Sequence, residues 1–136
     1  MNYTSQFILG LSSVDAAGVL FYPELLRHAH DAYESFMAHI DWALPDILAR
    51  GKLLIPVVHV DADYLRPLRH GTRVDVTLTV GGLGDTSFTI DCDFTAGGDI
   101  PCARVRSVHV CIDAAKHSPV PVPAGLREQL EPYLNH

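Results

Sequence analysis

Asp15 heads the run Asp15-Ala16-Ala17-Gly18-Val19-Leu20-Phe21-Tyr22-Pro23, which joins one carboxylate to small residues, then to an apolar step, then to a proline. Small residues let main-chain N–H groups come close to a ligand. A helix opening at Pro23 aims its unpaired N–H groups and the positive end of its dipole at the same spot. A carboxylate beside such an anion-stabilising corner suits acyl transfer. Taken alone, Asp15 ahead of Gly18 is just as well an ordinary Asx turn, so the surrounding residues must decide.

The histidines offer the other chemistry. His30 and Glu34 are four residues apart and share a helix face, where Glu34 either orders the imidazole, supplies a second carboxylate or is simply solvated. His59 stands mid-strand between Val58 and Val60, placed to line a site, to bond across a subunit boundary or to make a buried polar contact. His28 and His30 point to different helix faces, and no His-x-x-x-His pair falls on a helix, so no metal is expected. Gly81-Gly82-Leu83-Gly84 lacks the Lys-Ser/Thr of a phosphate loop and reads as a hairpin.

Positioning these groups falls to a short list of elements. Tyr3 to Leu11 reads as a strand with Phe7 and Leu9 on one face and Ile8 on the other. From Pro23 to Ile40 the apolar residues Leu26, Ala29, Tyr33, Phe36 and Ile40 keep the helical period. A second short helix is expected over Trp42 to Arg50, capped by Asp41 and stopped by Gly51. Four strands follow, roughly Leu53 to Leu65, Thr72 to Val80, Ser87 to Thr95 and Cys102 to Ile112. Val105, Ser107, His109 and Cys111 alternate with Arg104, Arg106, Val108 and Val110, the mark of a sheet covered on one face. After the stiff Pro119 to Pro123 run, Ala124 to Leu134 reads as a closing helix with Leu126, Leu130 and Leu134 inward.

The totals narrow the class. At 136 residues the chain makes one domain over 1–136. A net charge of −6 argues against a nucleic-acid binder and against an anionic membrane surface. No apolar run approaches the ~20 residues of a bilayer crossing. The first residues show no signal-peptide pattern, so cytoplasm is the expectation. Cys92, Cys102 and Cys111 are odd in number and lie in strand-like surroundings, which points to buried free thiols.

Four segments carry a resemblance: Asp15 to Pro23, His30-Asp31-Ala32-Tyr33-Glu34, Pro56 to Gly71, and Val105 to Cys111 with the Pro-rich tail. Together they resemble the hot-dog-fold thioesterases of the 4-hydroxybenzoyl-CoA thioesterase type, and within them the 1,4-dihydroxy-2-naphthoyl-CoA hydrolase branch. That resemblance implies an α+β hot-dog fold, an antiparallel five-stranded sheet wrapped around one long central helix. It implies an acyl-CoA substrate with an aromatic acyl group, water as co-substrate, no cofactor, a homodimer or homotetramer, and a place in menaquinone or phylloquinone biosynthesis.

By the same resemblance Asp15 is the nucleophile or the general base, and the backbone N–H of Tyr22 polarises the thioester carbonyl. Gly18 and, from their places on helix and strand, His30, Glu34 and His59 are the further candidates at the substrate. Thr86 and Ser87 contact the pantetheine or nucleotide from the neighbouring subunit. Ser13 stands where the family often has the first Asp of Asp-x-Asp. Leu83-Gly84-Asp85-Thr86 stands where basic residues meet the nucleotide phosphate, which leaves Arg66, Arg69 and Arg106 for CoA. Two alternatives stay open: a thioesterase acting on carrier-protein-bound or fatty acyl chains, and a non-catalytic hot-dog binding or assembly protein, whose mark would be loss of the loop carboxylate.

Overall fold

The computed structural model describes residues 1–135. Its centre is α1 (Glu24–His39), around which five antiparallel strands curl. These are β1 (Tyr3–Ile8), β3 (Val57–Tyr64), β4 (Arg73–Leu83), β5 (Ser87–Ala96) and β6 (Ile100–Val110), in the spatial order β1-β4-β5-β6-β3. The expected α+β architecture is thus present, with β1 and β3 at the two edges.

Alternation explains why the sheet closes on the helix. Val74, Val76, Leu78 and Val80 of β4, and Phe88, Ile90, Cys92 and Phe94 of β5, are all 2% exposed or less. The alternate residues on the outer face are polar, and there Arg104 bonds Asp93 at 2.8 Å and Arg106 bonds Asp91 at 2.7 Å. Exposed pairs of this kind contribute about 0–1 kcal/mol each, so the hydrophobic face carries the stability. From α1, Leu25, Ala29, Tyr33, Phe36, Met37 and Ile40 meet that face. Leu26, expected inward, is instead 37% exposed, and Leu25 takes its place in the core. All three cysteines are free and buried, as expected.

The boundaries differ from the sequence reading, first at β1, which ends at Ile8 where a strand to Leu11 was expected, because the chain turns into a 3-10 helix over Leu11–Ser13. Asp41 ends α1 instead of opening the next helix: it sits at φ +66°, and the N–H groups of Asp41 and Trp42 bond back to Ala38 and Met37, a Schellman closure. The second helix, α2, consequently covers only Leu44–Arg50, with Pro45 in its first turn. The strand expected over Leu53 to Leu65 is divided near Pro56 into β2 (Leu53–Leu54) and β3. β2 leaves the main sheet to pair with β7 (Ile112–Asp113). The closing helix, α3, spans Ala124–Leu130 and tightens into a 3-10 turn at Glu131–Tyr133, where Pro132 supplies no N–H to continue it. Leu134 then runs beside Val80 as an extended bridge.

Candidate active site

The chain from Ser13 to Phe21 forms a small hairpin that delivers Asp15. Asp15 N–H donates to the Val19 carbonyl at 2.9 Å, Gly18 N–H donates to the Asp15 carbonyl at 3.0 Å, and Val14 bridges Leu20. This is a three-residue loop, and its last residue must take the left-handed conformation; Gly18 does so at φ +76°. Asp15 Oδ1 accepts the N–H groups of Ala17 at 2.9 Å and Val19 at 3.2 Å. Oδ2 has no partner among the described residues, and the side chain is exposed. One oxygen thus makes the Asx turn, while the other stays open to solvent without a partner among the described residues.

The hairpin feeds directly into α1. Phe21 N–H donates to the Ser13 carbonyl at 2.9 Å, and Glu24 N–H to the Phe21 carbonyl at 2.8 Å. Ser13 pairs with Phe21 and Asp15 with Val19, so Asp15 lies on the incoming arm of the hairpin and Tyr22 follows the outgoing arm, one residue beyond Phe21. No side chain caps α1, and the Tyr22 N–H has no acceptor among the described residues. The Tyr22 carbonyl takes the Tyr64 hydroxyl, which pins the end of β3 to the helix start. An uncapped helix start with a free N–H is a place for developing negative charge.

Ser13 does more than the sequence suggested. It is 2% exposed, its hydroxyl donates to Glu24 Oε1 at 2.9 Å and accepts from Arg27 Nη2 at 3.0 Å, and His28 Nε2 lies 3.2 Å away. These bonds hold the carboxylate of Glu24 below its ordinary pKa. Burial, helped by the neighbouring Arg27, lowers that of His28, which stacks on Phe7 at 4.0 Å. The cluster locks the incoming arm of the hairpin to the first turn of α1.

Two cavities flank this corner. One, of about 230 Å³, lies between the hairpin and the end of β3, where Val19, Leu20, Tyr64, Leu65 and Arg66 line it. Arg69 is beside it, its backbone paired with Val19. The other, of about 200 Å³, lies beneath α1, walled by Leu26, Ala29, Val57, Val60 and Val105. Its polar lining consists of His30, Tyr33, Ser107 and His109.

The structure thus gathers Asp15, Gly18, Tyr22, Arg66 and Arg69 at the helix start and puts His30 in the cleft below it. The remaining candidates lie elsewhere in this chain. Glu34 is exposed and outside the cleft lining. His59 alternates with the cleft-lining Val60 and bonds Asp61 at 3.2 Å on the outer side of β3. Arg106 is engaged by Asp91 on the outer face. Ser87 begins β5 opposite Val110, and Thr86 in the turn before it accepts the Cys111 N–H, at the end of the sheet remote from Tyr22.

His109 and Tyr33 are the residues sequence reasoning passed over. His109 is 1% exposed, stacked against Tyr33 at 4.1 Å and Phe88 at 5.1 Å, with Ser107 Oγ 2.8 Å from Nε2. Burial, with His30 nearby, takes its pKa down to about 4, so the imidazole is neutral. Burial drives the Tyr33 phenol upward. The alternation Val105, Ser107, His109, Cys111 already put this imidazole on the covered face, and that was the available signal.

Known proteins share this sequence pattern and fold. Residues 9–130 match the Thioesterase-like superfamily. A 1,4-dihydroxy-2-naphthoyl-CoA hydrolase of Synechococcus elongatus is 30% identical over 131 residues, covering 96% of both chains. One from Synechococcus sp. strain RCC307 is 36% identical over 121 residues, covering 86% of this chain and 92% of its own. The crystal structure of a 1,4-dihydroxy-2-naphthoyl-CoA thioesterase from Synechocystis superposes with a TM-score of 0.90 at 27% identity, covering 96% of each chain. With a carboxylate-bearing hairpin set on the open start of a sheet-wrapped helix, and with that match spanning most of its length, the chain belongs to the Thioesterase-like superfamily.

Proposed function

We propose that this protein hydrolyses an aromatic acyl-CoA, with 1,4-dihydroxy-2-naphthoyl-CoA as the leading substrate, to the free acid and CoA. One observation carries the reading: the Asp15 carboxylate is held through Oδ1 alone, on a hairpin that ends at an uncapped helix with the Tyr22 N–H free. The named relatives support thioester hydrolysis and the aryl-CoA class.

The thioester carbonyl sits with its oxygen toward the Tyr22 N–H, which stabilises the oxyanion as the carbonyl carbon becomes tetrahedral. Asp15 Oδ2 either attacks that carbon, giving an anhydride that water then cleaves, or takes a proton from the attacking water. Coenzyme A leaves as the thiolate and is protonated by solvent. The acyl ring enters the cleft beneath α1, and the cavity bordered by Arg66, with Arg69 beside it, takes the pantetheine and phosphate end. Thr86, Ser87 and Arg106 serve a bound CoA only from a neighbouring subunit.

A second copy completes the sheet. β3 is an edge strand, and Val57, Val58, Val60, Tyr64 and Leu65 are 41–58% exposed along and just beyond it. An uncovered apolar edge pairs most simply with its own copy, giving a dimer or a dimer of dimers. Three buried free thiols suit the reducing cytoplasm. No helix among the described residues is long and apolar enough to cross a membrane.

Thiol release from 1,4-dihydroxy-2-naphthoyl-CoA, benzoyl-CoA, fatty acyl-CoA and the same acyl groups on carrier protein tests the assignment. The naphthoyl ester should turn over fastest. Faster turnover of carrier-bound chains would replace the reading with that of a carrier-protein thioesterase, and no turnover of any thioester would end it.

A further inference from the structure

Two residues that line the cleft beneath α1 each carry a buried polar atom left unsatisfied among the described residues. Among the described residues His109 Nδ1 and the Tyr33 hydroxyl are buried without a hydrogen-bond partner. Their residues are 1% and 3% exposed, and both line the cavity of about 200 Å³. A buried donor or acceptor left unpaired is costly, so two of them side by side in one cavity point to a ligand that pairs them. Neither ring is loosely placed. His109 lies between Tyr33 and Phe88 and is bonded through Nε2 to Ser107, while Tyr33 is stacked on His109.

We infer that His109 and Tyr33 determine specificity by reading a ring hydroxyl on the acyl group, at the ring edge remote from the thioester. The inference rests on the aryl thioester reading above and adds to it the chemistry by which the ring is chosen. Three features of the cleft select this ligand.

The first is size. An apolar cavity of ~150 Å³ holds a benzene ring, so about 200 Å³ suits a compact ring system better than a long acyl chain. The walls formed by Leu26, Ala29, Val57, Val60 and Val105 are hydrocarbon and fit its faces.

The second is charge. The imidazole is neutral and the phenol keeps its proton near neutral pH. A carboxylate or ammonium on the ring would be buried without a countercharge, whereas a hydroxyl would not. A hydroxyl both donates and accepts, and it matches either arrangement of the imidazole. When the Ser107 hydroxyl donates to Nε2, Nδ1 carries the proton and donates to the ligand oxygen. When Nε2–H donates to Ser107, Nδ1 accepts the ligand O–H. The Tyr33 hydroxyl makes the second bond in both.

The third is position. Leu26 and Tyr33 are seven residues apart on α1, about 10 Å at 1.5 Å per residue. Leu26 is nearer the helix start, where the thioester lies, and Tyr33 is at the far end of the cleft. Helical aromatic side chains lean toward the helix N-terminus, which brings the Tyr33 hydroxyl back to meet the remote edge of a ring.

The test uses two matched esters, 1,4-dihydroxy-2-naphthoyl-CoA and 1-hydroxy-2-naphthoyl-CoA, which lacks only the 4-hydroxyl. The unmodified protein should prefer the dihydroxy ester by roughly 10- to 100-fold in kcat/KM. In Tyr33→Phe, which deletes one unpaired oxygen and should melt at or above the unmodified temperature, that preference should fall to within about threefold. His109→Phe should reduce it likewise. Calorimetric binding of the two free naphthoic acids reads the same preference without turnover. Equal preference in the unmodified protein and both variants, for esters and for acids, overturns the inference and leaves hydrolysis standing. Loss of hydrolysis with the binding preference intact, and abolished by Tyr33→Phe, overturns the hydrolytic reading and leaves this one standing.

Discussion

At the start of α1 the Asp15 carboxylate faces solvent, and main-chain N–H groups two and four residues away hold one of its oxygens. Further along the same helix Tyr33, with His109 of β6 against it, is buried, and each of the two keeps one atom without a partner among the described residues. The first arrangement is made by nine consecutive residues and needs little from the rest of the fold. The second needs α1 and β6 to be packed at the right spacing, since its partners lie 76 residues apart (109 − 33). In the proposed reading, reactivity comes from local chain geometry and selection of the ring from tertiary packing. Changes at the two regions should therefore separate rate from stability and selectivity.

The largest effect should come from Asp15→Asn. An Asn side chain keeps an acceptor oxygen for the Ala17 and Val19 N–H groups, so the hairpin should survive. It cannot attack or take a proton, and kcat should drop by roughly 10²–10⁴-fold with an unchanged melting temperature. Turnover equal to that of the unmodified protein would remove Asp15 from the chemistry. An equally slow but poorly folded variant would move it to a purely structural role.

The buried end responds to pH in a defined direction. His109 binds its proton at about 4 in the folded protein and near 6.5 when unfolded. Between these values the unfolded chain holds more protons, so stability rises with pH across the window and is lost as pH falls from about 6.5 to 4. The loss should reach roughly 3 kcal/mol, at ~1.4 kcal/mol per pH unit of displacement. Urea unfolding at pH 7 and pH 4 measures it, and His109→Phe should remove that share of the slope. His28, also displaced downward, adds a part of the same sign that the variant keeps. An identical slope in both proteins would show that the imidazole is not sealed.

Ser13→Ala probes the joint between the hairpin and α1. Its buried hydroxyl bonds Glu24 and Arg27. Removing it leaves buried space and unmet bonds, worth about 1–3 kcal/mol in chemical denaturation. A cost below ~0.5 kcal/mol would mean that the main-chain bonds alone fix the corner.

The same contrast explains what could be read from the chain directly. The Asx turn at Asp15, the Pro23 start and the helical period of Ala29, Tyr33, Phe36 and Ile40 are local, and all were legible. So was the inner face of β6. What escaped depends on contacts between distant segments or on competition within one residue. Asp41 looks like a helix opener until its left-handed conformation closes α1. Leu53 to Leu65 looks continuous until Leu53 and Leu54 find Ile112 and Asp113. Arg106 looks available for CoA until Asp91 appears opposite it in β5. His109 was on the correct face, but only the neighbouring Tyr33 and Phe88 make its unpaired atom visible.

Tyr22→Phe should be the mildest change, and its mildness is informative. The ring is 67% exposed and leans on Phe21 at 5.3 Å, so the lost hydroxyl should cost less than ~0.5 kcal/mol of stability. In the proposed reaction the group that faces the oxyanion belongs to the backbone, and phenylalanine keeps the N–H and the carbonyl that accepts the Tyr64 hydroxyl. Turnover within about twofold of the unmodified protein therefore locates the activating group in the main chain. A tenfold or greater loss would instead make the phenol a participant, and chemistry at the helix start would then depend on a side chain, as recognition does at the buried end.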